Sequence, residues 1–154
     1  MDYLFTILLQ NRKMLYAILR KTPRETLCTI PEGFRNHIYW NIAHVVVTQQ
    51  LITYGLSNLQ LQVDADLVAK YRKGTLPQTD PVSEQEIEQL QESLFSTLEQ
   101  TQRDYQDGRF KEYKSYTTSA NVTLSSVEDA LAFNVYHEGL HLGVILGLQK
   151  ALNS

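Results

Sequence analysis

Four histidines are the side chains best suited to chemistry in this sequence, and they fall in two short stretches. His37 and His44 lie in "NHIYWNIAHVVV", His137 and His141 in "NVYHEGLHLG". His137 and His141 are four apart, about 40° from one another around a helix, so both imidazoles can converge on one point. This is the commonest way for a helix to offer two nitrogens to a divalent metal. Ala130, Phe133, Asn134, Ile145 and Leu148 share their stripe. The pair therefore faces the core, where histidines without a ligand are expensive to bury. A third ligand must come from upstream, because "LGVILGLQKALNS" after His141 holds no His, Cys, Asp or Glu. His44 is halfway along its segment, as the pair is along theirs. His37 shares the stripe of His44 but sits about 10 Å nearer the helix end. Height favours His44, with His37 as the alternative.

Three imidazoles and an open position make a catalytic type of metal site, whereas structural zinc sites are closed by four protein ligands. A metal so held can acidify bound water or bind a thiolate. Glu138 follows His137 directly, about 100° around the helix. It is the candidate catalytic residue, placed to reach metal-bound water, with support of the ligands from behind or a surface ion pair as the other readings. Asn41-x-x-His44 and Asn134-x-x-His137 repeat one pattern, each asparagine a turn before a ligand, where its amide can orient an imidazole or bind substrate. Trp40, Tyr136 and Tyr39 are close enough in sequence to line a pocket, although aromatics at helical spacing also build cores.

The letters "HEGLH" also spell the zinc-protease motif H-E-x-x-H. That chemistry expects a ligand downstream and a sheet edge for the peptide. The sequence offers neither. A di-iron bundle needs carboxylates from several helices and two Glu-x-x-His motifs. Only Glu138-x-x-His141 occurs, and no Asp or Glu stands between Phe34 and Val63.

The elements that must position these residues are helical. The first covers about 3–20, with Leu4, Ile7, Leu8, Leu15, Ile18 and Leu19 on one side and Pro23 beyond its end. The second runs from about 35 to 55, with Gly55 as its expected C-cap. The third opens at a capping box, Ser83 to Glu86, and carries Ile87, Leu90, Leu94, Leu98, Thr101 and Tyr105 down one stripe to Asp107-Gly108. The fourth starts at Ser125 or Ser126, with Glu128 and Asp129 in the first turn, and continues to about Leu152. "RFKEYKSYTT" is the one weak strand candidate. Four amphipathic helices predict an all-α four-helix bundle in one domain, 1–154. About 28 residues join helices two and three, with a short helical piece near "DADLVAKYRKG", far more than antiparallel neighbours need. That length predicts a long crossover and parallel helices two and three.

Bulk properties narrow the class. The sequence has 154 residues, 43% of them hydrophobic, with a net charge of −3, enough for one buried core. No basic stripe exists for nucleic acid. The single cysteine, Cys28, excludes an internal disulfide and suits a reducing compartment. The apolar opening Tyr3 to Leu9 fails as a signal peptide, and no stretch approaches the roughly 20 apolar residues of a membrane span. A cytoplasmic protein is expected, and the sequon at Asn121 carries no meaning there. Gly139, Gly143 and Gly147 form a stripe of small residues, fit either for close packing inside the bundle or for a homodimer surface.

"NHIYWNIAHVVVTQQLITYGL" and "AFNVYHEGLHLGVILGL" together resemble the DinB-like (DinB/YfiT-like) superfamily, and the resemblance covers nearly the whole chain. It implies a four-helix bundle in up-down-down-up order. It also implies a three-histidine divalent site, commonly zinc or nickel, on His44, His137 and His141. Some members use a low-molecular-weight thiol, such as mycothiol or bacillithiol, as cosubstrate for transferase or isomerase chemistry; many have no assigned activity. The leading expectation is a metal-dependent enzyme acting on a small molecule, in particular a thiol-dependent S-transferase. The alternative is a non-catalytic metal-binding bundle for stress response or interaction, with a zinc protease a distant third.

Overall fold

Side-chain caps set where three of the four long helices begin. In the computed structural model, which describes residues 1–78 and 80–153, helix α1 spans Asp2–Lys21, with Asp2 in its first turn and Arg20 and Lys21 in its last, matching the helix dipole. A single turn, α2 (Arg24–Leu27), follows. His37 caps α3 (Ile38–Gln50), its Nδ1 accepting the Trp40 backbone N–H at 3.0 Å. The predicted start near residue 35 moves inward for that reason. Ser83 and Glu86 close a reciprocal capping box on α5 (Glu84–Gln106), and Ser126 accepts the Asp129 N–H at the start of α6 (Val127–Leu152).

The end of α3 differs from expectation in form. The helical run stops at Gly55, as expected, but its last turn, Leu51–Gly55, widens into a π turn, the capping position is Leu56, and the left-handed residue that follows is Asn58, at φ 55°. Asparagine tolerates that conformation nearly as well as glycine does. The crossover carries α4 (Ala65–Tyr71), where a helical piece was expected. The weak strand candidate contributes β1 (Tyr116–Thr117), paired antiparallel with β2 (Thr123–Leu124) in a two-stranded ribbon. The fold is otherwise helical among the described residues.

Helix α1 packs on α5 and α6, and α3 packs on α6 and α5. Particular contacts fix how the ends meet. Tyr39 Oη, early in α3, donates to the Glu86 carbonyl early in α5, and Gln49, late in α3, donates to Thr101, late in α5. Phe5, early in α1, packs at a tilt against Tyr105, late in α5, and shares a cluster with Val127 and Leu131, early in α6. Ile52, just past α3, meets Ala130, early in α6.

Helix α3 is the centre of the core: every residue from Ile38 to Gln50 is buried except Thr48. In α1 the buried stripe is Phe5, Leu8, Arg12, Leu15 and Leu19, so an arginine occupies a core position. The glycines of α6 do not serve close packing inside the molecule, one of the two uses expected of them. Nothing lies within 4 Å of where a Cβ would stand at Gly139 or Gly143, and only the Phe34 ring approaches Gly147. Tyr136, Leu140, Val144 and Leu146 are exposed on that same side.

Candidate metal centre

The three histidines meet because α3 and α6 cross at mid-length. His44, His137 and His141 offer one nitrogen each, all within 4.8 Å of one another, and their ring centroids stand 4.5 to 5.2 Å apart. His37 does not join them. It is the α3 cap, and its Nε2 pairs with the Gln78 carbonyl at 3.0 Å.

Outer hydrogen bonds decide which nitrogen faces inward in two of the rings, His44 and His141. His44 Nδ1 lies 2.7 Å from the Tyr71 carbonyl, an acceptor only, so Nδ1 carries the proton and Nε2 the lone pair. Asn41 Nδ2 donates to Asn36 Oδ1 and to the His37 carbonyl, which turns Asn41 Oδ1 toward His141 Nδ1 at 2.8 Å. His141 Nε2 is thereby left as the lone-pair nitrogen. Asn41 thus orients the histidine across the interface rather than the one a turn along its own helix. His137 Nδ1 is buried and has no partner among the described residues. Trp40 stacks on His44 at 4.6 Å and 11°, and Phe133 on His137 at 6.2 Å and 26°. These ring contacts limit rotation of the imidazoles.

Electrostatics keep the rings neutral. His137 is pushed down to about 3, first because burial penalises the imidazolium, then because His141, His44 and Arg12 add positive charge nearby. His141 falls to about 4 through burial and the field of His44. His44 is lowered by burial, partly offset by its bond to the Tyr71 carbonyl. Neutral imidazole is the form that ligates a metal. Three converging imidazoles, two of them with their outer nitrogens tied to Tyr71 and Asn41, fit a divalent ion.

Glu138 is not on the surface. Arg12 and Glu138 are both fully buried, with Arg12 Nε donating to Glu138 Oε1 at 2.9 Å and Nη2 2.8 Å from the same oxygen. Asn134 Nδ2 donates to Oε1 as well, at 3.0 Å, so this asparagine serves the carboxylate and not an imidazole. Glu138 Oε2, Asn134 Oδ1 and both Arg12 Nη atoms lack hydrogen-bond partners among the described residues.

Of the aromatics, Tyr136 is half exposed and lines a shallow, mostly apolar cavity of about 420 Å³ with Phe133 and Leu124. Tyr39 lies with Tyr71 along a separate cleft of about 490 Å³ between the crossover and α5. Tyr71 and Arg12 are among the groups at the site not singled out in the sequence. Tyr71 acts through its backbone, which no side-chain pattern reveals. Arg12 had a signal: it interrupts the apolar stripe of α1, and a charge there demands a buried acid.

A helical protein with three neutral imidazoles, one buried and two partly so, able to hold one metal ion is the class that fold and site define. The chain belongs to the DinB superfamily, whose family model matches residues 7–145. No curated protein sequence matches it.

Proposed function

We propose that the chain binds one divalent metal, zinc or nickel, through His44, His137 and His141 and works as a metal-dependent enzyme on a small molecule, with a low-molecular-weight thiol as cosubstrate for S-transfer. The observation that carries this reading is the convergence of three imidazole nitrogens whose outer nitrogens, in His44 and His141, are already tied to Tyr71 and Asn41. Membership of the DinB superfamily supports it. When bound, the metal supplies a Lewis acid that lowers the pKa of a thiol or water. Asn41 and Trp40 hold the ligand rings. Glu138 acts from behind, fixing α6 against α1 through Arg12, rather than on the bound ligand.

The same reading takes residues 1–154 as one four-helix bundle in up-down-down-up order, supported by the contacts that match the start of α3 to the start of α5 and to the end of α6. It places the protein in the cytoplasm, in keeping with a lone buried thiol at Cys28; among the described residues no helix is long and apolar enough to cross a membrane. For a partner it takes a second copy, docked on the exposed side of α6. That side, from Ala132 to Gly147, carries no exposed charge. A two-fold contact sets a patch against itself, so any charge there would meet its like.

One observation favours the alternative, a metal-binding bundle without turnover: Glu138, next to the ligand His137, is locked in an ion pair with Arg12, which leaves no free carboxylate beside the ligands among the described residues. Metal analysis and cobalt spectra separate the possibilities. Untagged protein should take up close to one divalent ion per chain, and His44→Ala, His137→Ala and His141→Ala should each abolish tight uptake. His37→Ala should keep the ion and lose about 1 kcal/mol of stability with its helix cap. Loss of metal in His37→Ala with retention in His44→Ala overturns the ligand set. A sulfur-to-cobalt charge-transfer band on adding a thiol supports the enzyme reading; a bound ion that takes no exogenous ligand favours the bundle without turnover.

A further inference from the structure

Threonines inside helices usually turn the hydroxyl back onto the carbonyl four residues earlier. This protein follows the habit at Thr6, Thr53, Thr97 and Thr101, whose Oγ1 atoms lie 2.6 to 3.0 Å from the carbonyls of Asp2, Gln49, Ser93 and Thr97. Thr48 departs from it. Its Oγ1 is directed at His44 Nε2, 3.2 Å away. His44 Nδ1 holds the ring proton against the Tyr71 carbonyl, so Nε2 is an acceptor and the Thr48 hydroxyl is the donor. Thr48 is also the one residue of α3 that is not buried, and His137 and His141 beside it are partly exposed. The three-nitrogen site therefore reaches solvent on the side where this hydroxyl stands.

The lone pair that Thr48 engages is the one a metal takes. Once it is taken, the hydroxyl proton has two acceptors to turn to, the His44 carbonyl four residues earlier or a ligand at the mouth of the site. We propose that Thr48 donates its hydrogen bond to the ligand in the open metal position, and so selects ligands whose bound atom still has a lone pair and negative charge: thiolates, carboxylates and small inorganic anions. This makes Thr48 a specificity-determining residue. The inference rests on the three-histidine metal reading and deepens it.

The test uses the full chain loaded with cobalt, with azide and 2-mercaptoethanol as probes followed in the visible spectrum. Thr48→Val removes the hydroxyl and keeps the shape; Thr48→Ser keeps the hydroxyl. Both variants should bind one cobalt per chain. A hydrogen bond to a charged acceptor is strong enough that Thr48→Val should raise the dissociation constants of both probes about tenfold or more. Thr48→Ser should stay within about twofold of the parent. Equal affinities in the parent and Thr48→Val overturn the proposal, because the hydroxyl then serves only the metal-free ring. Substoichiometric cobalt in Thr48→Val with full cobalt in Thr48→Ser also overturns it, by making Thr48 a ligand. If the parent itself binds no cobalt, the metal reading fails and this inference with it, an outcome distinct from the other two.

Discussion

Replacing Glu138 by glutamine isolates what the buried ion pair contributes. Both partners are fully buried, and two donors, Arg12 Nε and Asn134 Nδ2, hydrogen-bond to one oxygen, Oε1, with Arg12 Nη2 in ion-pair contact with it. Glutamine can leave an acceptor at that place but no charge, so the guanidinium stays in the core without a counterion. Breaking a buried pair costs about 3–5 kcal/mol; the retained acceptor puts Glu138→Gln near the lower figure. For a protein of this size about 3 kcal/mol corresponds to a fall in Tm of roughly 6–12 °C. Removing both charges behaves differently. Arg12→Met with Glu138→Leu fills the same space with apolar groups, and such replacements are often neutral or stabilising. The double variant should recover most of the lost Tm. Thermal unfolding by circular dichroism on metal-free protein reads both effects, and elemental analysis at 25 °C should still find metal in Glu138→Gln. A Glu138→Gln Tm within about 2 °C of the parent, or a double variant less stable than either single change, would refute the reasoning.

Two further outcomes follow from the site and from α6. In the metal-free protein His137 and His141 have folded pKa values of about 3 and about 4, below the usual 6.5. The unfolded chain therefore binds more protons between those limits, and stability should fall as pH drops from about 6.5 toward 4; a Tm flat across that window in chelator-treated protein would contradict it. Sedimentation at micromolar concentration should find a dimer, and Leu140→Arg, on the exposed side of α6, should make it monomeric; a monomeric parent ends the homodimer proposal.

Helix ends were the most legible part of the sequence, because caps are local. Ser83 with Glu86, and Ser126 with Asp129, are readable without knowing what the helix packs against. The histidine cluster was legible for a related reason: i, i+4 spacing and matching height are properties of single helices. What stayed hidden depends on two elements at once. Asn41 reads as a partner for His44 on its own helix, yet it holds His141 across the interface. Glu138 reads equally well as exposed or buried until Arg12 is seen beneath it, 126 positions away in sequence. Thr48, after three valines, looks like one more β-branched residue; only the direction of its hydroxyl marks it out. Gly55 marked the end of the helical run correctly, whereas the π turn leading to it and the left-handed Asn58 beyond it gave no signal in the sequence.

The buried charge pair also answers a question of orientation. Helix α6 is apolar on its outward side as well as its inward one, with Tyr136, Leu140, Val144 and Leu146 exposed opposite Leu131, Leu142, Ile145 and Leu148. Oil-like burial alone barely distinguishes one rotation of such a helix from another, so a spun or slipped α6 competes closely with the native one. Asn134 and Glu138 break that degeneracy, since any rotation that carries them outward strands the Arg12 guanidinium in the core. The pair then acts as a key that sets the phase of α6, and with it the direction in which His137 and His141 point. The double variant that restores Tm should pay in uniqueness, with multiple amide resonances for α6 in its NMR spectrum and weaker metal uptake despite three intact histidines.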